Sequence, residues 1–451
     1  MAWRFRPSRM PKLDRKLTLY GLTMIAIGSC IGSGIFVTPY EVVQAVPHHG
    51  FALLVWALGG VIALTGALTF AELGGLFPKA GGVYVFLKEA YGELAGFLYG
   101  WIILLVINTG ALAALGIALA EYLSYFYPFG YWGKIAVAVV VIAGLTGFNL
   151  VGVNASQWLS NVFTGLKLLA IAGIIVVGLL FFEPAKVALD FNLAAHTPSN
   201  LGSAMLLALI GVLWSFGGWH HASYLAGEAI DPQRTVPRAM VLGAVIVTIT
   251  YVLVNLGYML LLPLDAIANT TRVAGEAVAQ VFSFGGKLMA IVIAISIFGT
   301  IGIYTMSAPR IYFAMAKDGI FFRQLAEVHP RFHTPAAAMI LQAIWAIVLL
   351  MAWGTFSGLI TYVTFMDIAF MALAGFSVFI FRRKLPHAER PYRTWGYPVV
   401  PGIFVLISSA FVVNTLIERP VQAWAGLGLL GAGVGVFYIF KSLRGRVQPA
   451  A

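Results

Sequence analysis

Apolar runs long enough to cross a membrane recur along the whole chain, and they constrain its fold more than any motif does. Crossing about 30 Å of hydrocarbon takes about 20 consecutive helical residues. Within that medium every backbone N–H and C=O must find a partner inside the protein, which leaves a bundle of helices as the architecture. Twelve spans are expected, at 18–44, 52–76, 94–123, 132–151, 157–182, 203–227, 238–262, 286–316, 336–353, 358–381, 399–417 and 422–441. Only 10% of the 451 residues are charged, against roughly 25% in a soluble domain, so no sizeable soluble domain is expected. The first run is too long for the apolar core of a cleavable leader and no small-x-small cleavage site closes it, so it is expected to remain as a span.

The net charge of +11 raises the question of nucleic acid, and the distribution of Lys and Arg answers it. With both termini in the cytoplasm, the inner segments hold 22 of the 28 basic residues. That asymmetry is the positive-inside pattern of a multi-pass protein of the cell membrane. The basic tail, residues 1–17, then reads as a topogenic segment facing lipid headgroups, with no nucleic-acid partner. Cys30 is the only cysteine, which rules out an internal disulfide. Neither a phosphate-binding loop, a dinucleotide fingerprint, zinc-type Cys/His spacing nor a nucleophile elbow occurs. No cofactor, metal or enzymatic activity is expected.

Two spans carry runs of weak helix formers where a helix is demanded. Span 1 contains IGSCIGSGIFVTP (27–39), and span 6 contains WSFGGWHHASYLAGE (214–228). Gly-interrupted spans at corresponding places in two halves of a chain mark a binding site in secondary transporters. Five spans separate these two, and because five is odd the second set enters the membrane from the opposite side. An inverted repeat is therefore expected, 18–182 against 203–381, with accessory spans 11 and 12 over 399–441 and a C-terminal tail at 442–451. The competing reading is that the glycines only permit close helix packing, since Gly28 and Gly32 have small-x-x-x-small spacing.

A helix broken inside the bilayer frees polar backbone groups, and these must face a ligand or a wet cavity. After the first break, the N–H groups of Ser33, Gly34 and Ile35 open a new half-helix whose positive end suits an anion. Before it, the carbonyls near Ser29, Cys30 and Ile31, with Gly32 between the two sets, suit a cation. In span 6 the carbonyls of Trp214, Ser215 and Phe216 precede Gly217 and Gly218. A ligand with adjacent ammonium and carboxylate groups matches both, and an α-amino acid is such a ligand.

GSGIFVTP (32–39), AELGGLFPKAGGVYVFLKEAYG (71–92), GLKLLAI (165–171), WSFGGWHHASYLAGEAIDPQRTVPRA (214–239) and PRIYFAMAKDGIF (309–321) together resemble the amino acid/polyamine/organocation superfamily, and within it the bacterial form of the L-type amino acid transporters. The resemblance covers spans 1 to 10 in order. It implies the leucine-transporter fold, alternating access and a central site for an L-amino acid between spans 1, 3, 6, 8 and 10. It further implies that Ser33 and Gly34 hold the substrate carboxylate, that carbonyls of Cys30 or Ile31, Trp214 and Ser215 hold the amine, and that Phe216 closes over the substrate. Animal L-type proteins join a heavy chain through an outer-loop cysteine. None exists here, so no disulfide-linked heavy chain is expected.

Four further side chains are candidates for gating or coupling. Lys167 lies within span 5, where a charge is costly and needs a partner. By the resemblance it takes the place of a sodium ion against the carbonyls of span 1, which implies sodium-independent exchange or, if it titrates, proton coupling. His220, after the second break, has a side chain suited to proton coupling; it and His221 point about 100° apart on a helix, so at most one is expected on the pathway. Asp367 in span 10 is a pathway candidate, and Glu72 at the end of span 2 is expected to tie the inner side together. Neutral amino acids are the expected substrates. A cationic amino acid or polyamine carrier, with Asp367 as its acid, is the alternative within transport, and a channel or a transport-like sensor is the alternative outside it.

Overall fold

The computed structural model describes residues 12–185, 187–193, 201–353, 356–418 and 420–447. Among them there is no strand, only an isolated parallel bridge between Leu17 and Ala229, and the rest is a bundle of helices. Ten are long and apolar enough to span a membrane by themselves, Leu19–Cys30 and Gly34–Ala45 form an eleventh as a pair bent by 43°, and Ala336–Ala352 is a shorter apolar helix. These are the twelve runs of the sequence, and the structure shifts their ends. Span 2 begins at His49 and span 5 at Val153. Span 12 runs Pro420–Val447 and so takes in most of the segment expected as a C-terminal tail; residues 448–451 lie outside the described residues.

Burial sorts the spans into a core and a periphery. The most apolar window of span 3 (Glu93–Leu123) is 94% buried, whereas those of spans 11 and 12 are 22% and 17% buried. Span 3 is the central post, and spans 11 and 12 flank the bundle beside spans 2, 3 and 10. A helix that is apolar all round can occupy either place, so the sequence pattern alone does not sort them.

The side that carries the chain's N-terminus is tied by charge. Lys16 and Leu17 N–H groups both donate to the Glu228 carbonyl, and Ile230 N–H donates to Leu17. Leu17 is fully buried. The end of the tail is thus anchored to the link between spans 6 and 7 through Lys16 and Leu17, while the side chains of Lys12, Arg15 and Lys16 stay exposed; residues 1–11 of the tail lie outside the described residues. Behind the link, the Glu228 carboxylate takes Nε and Nη2 of Arg310, both at 2.8 Å, with both side chains buried. Nearby, Glu72 accepts two bonds from Arg382 at 2.7 Å, one from Arg390 at 3.1 Å and the Thr394 N–H at 2.8 Å. Glu72 therefore ties span 2 to span 10 and the loop that follows it.

Candidate functional site

Span 1 loses its helix at Cys30 and regains it at Gly34; span 6 loses its helix at Phe216 and regains it at His221. The two breaks touch. The Ser29 hydroxyl donates to the Gly218 carbonyl at 2.8 Å, and the Cys30 thiol lies 3.5 Å from the Phe216 carbonyl. A Cβ on Gly218, whose φ is +120°, would sit 2.7 Å from the Ser29 carbonyl, and one on Gly34 would sit 2.5 Å from Ser215 Oγ. Glycine is required at both, for close approach and, at 218, for a backbone conformation that L side chains rarely adopt.

The freed carbonyls of span 1 are gathered by side chains from three other spans. Lys167 Nζ donates to Gly28 O at 2.8 Å, to Ile31 O at 2.7 Å and to Thr300 Oγ1 at 2.6 Å. Thr300 and Ser296 of span 8 also reach the Ile31 carbonyl, at 3.0 and 3.2 Å. Lys167 is 1% exposed, and its partners among the described residues are two carbonyls and a hydroxyl, with no carboxylate. From span 7 the Tyr251 hydroxyl lies 2.9 Å from Cys30 O and 2.9 Å from Ser215 O, one carbonyl from each break. A phenol has one proton to donate, so at any moment one of the two oxygens lacks that bond.

On the other side of the first break, Ser33 precedes the half-helix Gly34–Ala45. Its hydroxyl is buried and has no hydrogen-bond partner, beside the Gly34 and Ile35 N–H groups, which as the first of a helix have no carbonyl within it to bond. Phe216 is 2% exposed and packs on Trp56 and Tyr251, with ring centroids 6.3 and 4.9 Å apart.

A cavity of about 30 Å³ lies next to the second break, room for water. Trp214, Gly217, Gly218, His220 and His221 of span 6 line it, with Asn108 of span 3, Tyr304 of span 8 and Asp367 of span 10. No residue of span 1 lines it: Ser29, Cys30 and Gly34 meet span 6 outside this cavity, Ile31 and Gly32 face spans 5, 3 and 8, and Ser33 lies between the two sets. Both histidines line it, with residues 217–220 forming turns and His221 opening the short helix that follows. His221 Nδ1 also meets Ser307 Oγ at 2.6 Å.

Some of these groups give no signal in sequence. Tyr251 sits in an unbroken helix, and Ser296 and Thr300 are two of many hydroxyls in apolar spans. Asn108 follows a π-helical turn, Ile103–Ile107, an insertion of the kind that frequently accompanies functional sites and has no residue signature. Among the described residues no group of three or more His, Cys, Asp or Glu is placed to hold a metal ion.

The chain matches the family model described as amino acid permease over residues 17–437. It is 32% identical over 434 residues to the serine/threonine exchanger SteT of Bacillus subtilis (strain 168), covering 94% of this chain and 96% of that one. It is 30% identical to the mouse large neutral amino acids transporter small subunit 2, over 95% of this chain and 81% of the relative. It is also 30% identical to the mouse b(0,+)-type amino acid transporter 1, over 91% and 84%. With a match along nearly its whole length and a helical bundle built around two broken spans, the chain belongs to the amino acid permease family, within the amino acid/polyamine/organocation superfamily.

Proposed function

We propose that this protein is a sodium-independent secondary transporter that exchanges neutral L-amino acids across the cell membrane by alternating access, with both termini in the cytoplasm. The observation that carries the reading is the meeting of the two breaks. Carbonyl oxygens of Cys30 and Ser215 converge from two spans on one hydroxyl, and the unpartnered Ser33 hydroxyl stands at the start of a half-helix. A substrate ammonium takes the place of the Tyr251 proton between those carbonyls, and its carboxylate takes the first-turn N–H groups at Ser33 and Gly34. Ile31 O, already held by Lys167, Thr300 and Ser296, leaves the amine to the others. The carbonyl of Trp214 accepts the Gly217 N–H, as that of Cys30 accepts the Gly32 N–H, and each keeps a second lone pair for the amine.

In sodium-driven relatives of this fold a cation binds where span 1 is broken. Here Lys167 supplies a fixed positive charge at such a place, which supports transport without sodium. Phe216 serves as the lid over the substrate, and the count of five spans between the breaks supports the inverted repeat 18–182 and 203–381. The similar proteins are named as transporters or exchangers, which favours a carrier over an enzyme. Cys30, the sole cysteine, is buried within span 1, so a covalently linked heavy chain is no part of the proposal.

Counterflow tests it. Purified protein in liposomes preloaded with unlabelled neutral amino acid should take up labelled substrate faster than empty liposomes do. Absence of acceleration for every amino acid tested would remove the carrier reading and leave a channel or a sensor.

A further inference from the structure

Two acceptor oxygens in the cavity beside the second break have no hydrogen-bond partner: Asp367 Oδ1 and Asn108 Oδ1, both buried. The Asn108 amide cannot simply be turned round to relieve this. Its Nδ2 donates to the Tyr304 carbonyl at 3.3 Å, and a flipped amide would set oxygen against oxygen. Asn108 is 1% exposed, and the π-helical turn Ile103–Ile107 immediately before it sets the position from which it reaches the cavity. Asp367 has no Lys or Arg partner among the described residues, unlike Glu72 and Glu228. Acidic side chains inside a membrane are rare, face a cavity and mark a substrate or ion path. Buried acceptors left unpaired are costly, so a cavity with two of them is built for a group that donates.

We propose that Asp367 and Asn108 form a side-chain subsite that selects amino acids whose side chain carries a hydrogen-bond donor. The inference rests on the transport reading above and adds the class of side chain. With the substrate's ammonium and carboxylate at the two breaks, Trp214, Gly217 and Gly218, which also line this cavity, place it next to the α-carbon, where the side chain must go. The donor can be a neutral hydroxyl or amide or a charged ammonium, since a carboxylate accepts from each.

Threonine and valine are isosteric, differing by a hydroxyl in place of a methyl, and lysine and norleucine differ by a terminal ammonium. Counterflow efficiency of each pair is compared in wild type, Asp367→Leu, Asp367→Asn and Asn108→Leu. Taking each ratio within one variant cancels differences in folded amount. A site built around hydrogen-bond acceptors rejects the analogue that lacks the donor, so a wild-type ratio of at least about tenfold is expected in one or both pairs. It should fall to within about twofold in Asp367→Leu, with Asp367→Asn, which keeps an acceptor, in between for threonine over valine. A preference in the first pair marks a neutral donor, in keeping with the neutral substrates proposed above; one in the second pair alone marks a charged donor and replaces the neutral part of that reading with a cationic carrier. Wild-type ratios near one in both pairs, or a preference that Asp367→Leu leaves intact, overturn the subsite while leaving the transport reading in place. If no amino acid exchanges at all, the transport reading is what fails. Should Asp367→Leu not fold, the wild-type ratios and Asp367→Asn still decide.

Discussion

The ammonium of Lys167 lies 2.7 Å from the carbonyl oxygen of Ile31, at the point where span 1 loses its helix. In the reading proposed above, the lysine does for the broken backbone what a bound cation would do, and its bonds to Gly28 and Ile31 tie span 5 to the break.

Removing that charge should be costly to function. In Lys167→Met the Gly28 and Ile31 carbonyls keep only the Thr300 and Ser296 hydroxyls. Hydrogen bonds to a charged group contribute about 1.5–3 kcal/mol each, so counterflow per folded transporter should drop at least about tenfold. Thr300→Val should act in the same direction with a smaller effect. The double variant should lose less than the sum, because the two side chains serve the same oxygens.

Tyr251→Phe removes one oxygen atom and leaves the ring packing on Trp56 and Phe216. Both Cys30 O and Ser215 O lose their shared donor, and a net loss of about 1 kcal/mol or more is expected. Thermal unfolding in detergent should shift little, while the substrate concentration for half-maximal exchange should change several-fold. A variant indistinguishable from wild type in exchange would show that the hydroxyl only fills space.

Glycines at the breaks and glycines on the periphery should respond oppositely to alanine. Gly218→Ala drives a methyl onto the Ser29 carbonyl at a φ of +120°, and Gly34→Ala drives one onto Ser215. Both should abolish exchange. Gly428 and Gly431 of span 12 have nothing within 4 Å of an added Cβ, so alanine there should be neutral or stabilise by up to about 1 kcal/mol through its better helix propensity. Melting temperature and counterflow on the four variants check the contrast.

The ion pairs on the N-terminal side differ in worth. Arg310 and Glu228 are buried together, so Glu228→Gln, which leaves Arg310 without its counter-charge, should destabilise by about 3–5 kcal/mol. The Asp14 side chain is 32% exposed; hydrogen bonds from Lys16 and then His333 hold its carboxyl below the ordinary carboxylate range. Because its folded value is depressed, its contribution is present above the unfolded value and lost as pH falls through the folded one. Exposure keeps that contribution to about 1 kcal/mol or less. Melting of Asp14→Asn across acidic pH should therefore differ little from wild type, and the small difference should vanish at low pH.

Legibility in the sequence follows the range of the physics. The spans are local signals, and so are the two glycine runs, because helix weakness inside an apolar run is visible without knowing any neighbour. Lys167 was conspicuous for the same reason, as a charge in hydrocarbon. Tyr251 was not, since its role depends on oxygens 221 and 36 residues away. That His220 and His221 line one cavity depends on the turn at 217–220, which a helical pattern does not show. Charge is visible in the tail's composition, whereas the pairing of Leu17 with Ala229, a contact between distant segments, is not.

The most direct test of the account is counterflow by the wild-type protein with sodium present and with sodium replaced by choline. A fixed ammonium at the break of span 1 predicts equal rates in the two conditions for every exchanged amino acid. Exchange that requires sodium would contradict the role given to Lys167, and with it the picture of a broken span held by a cation built into the chain.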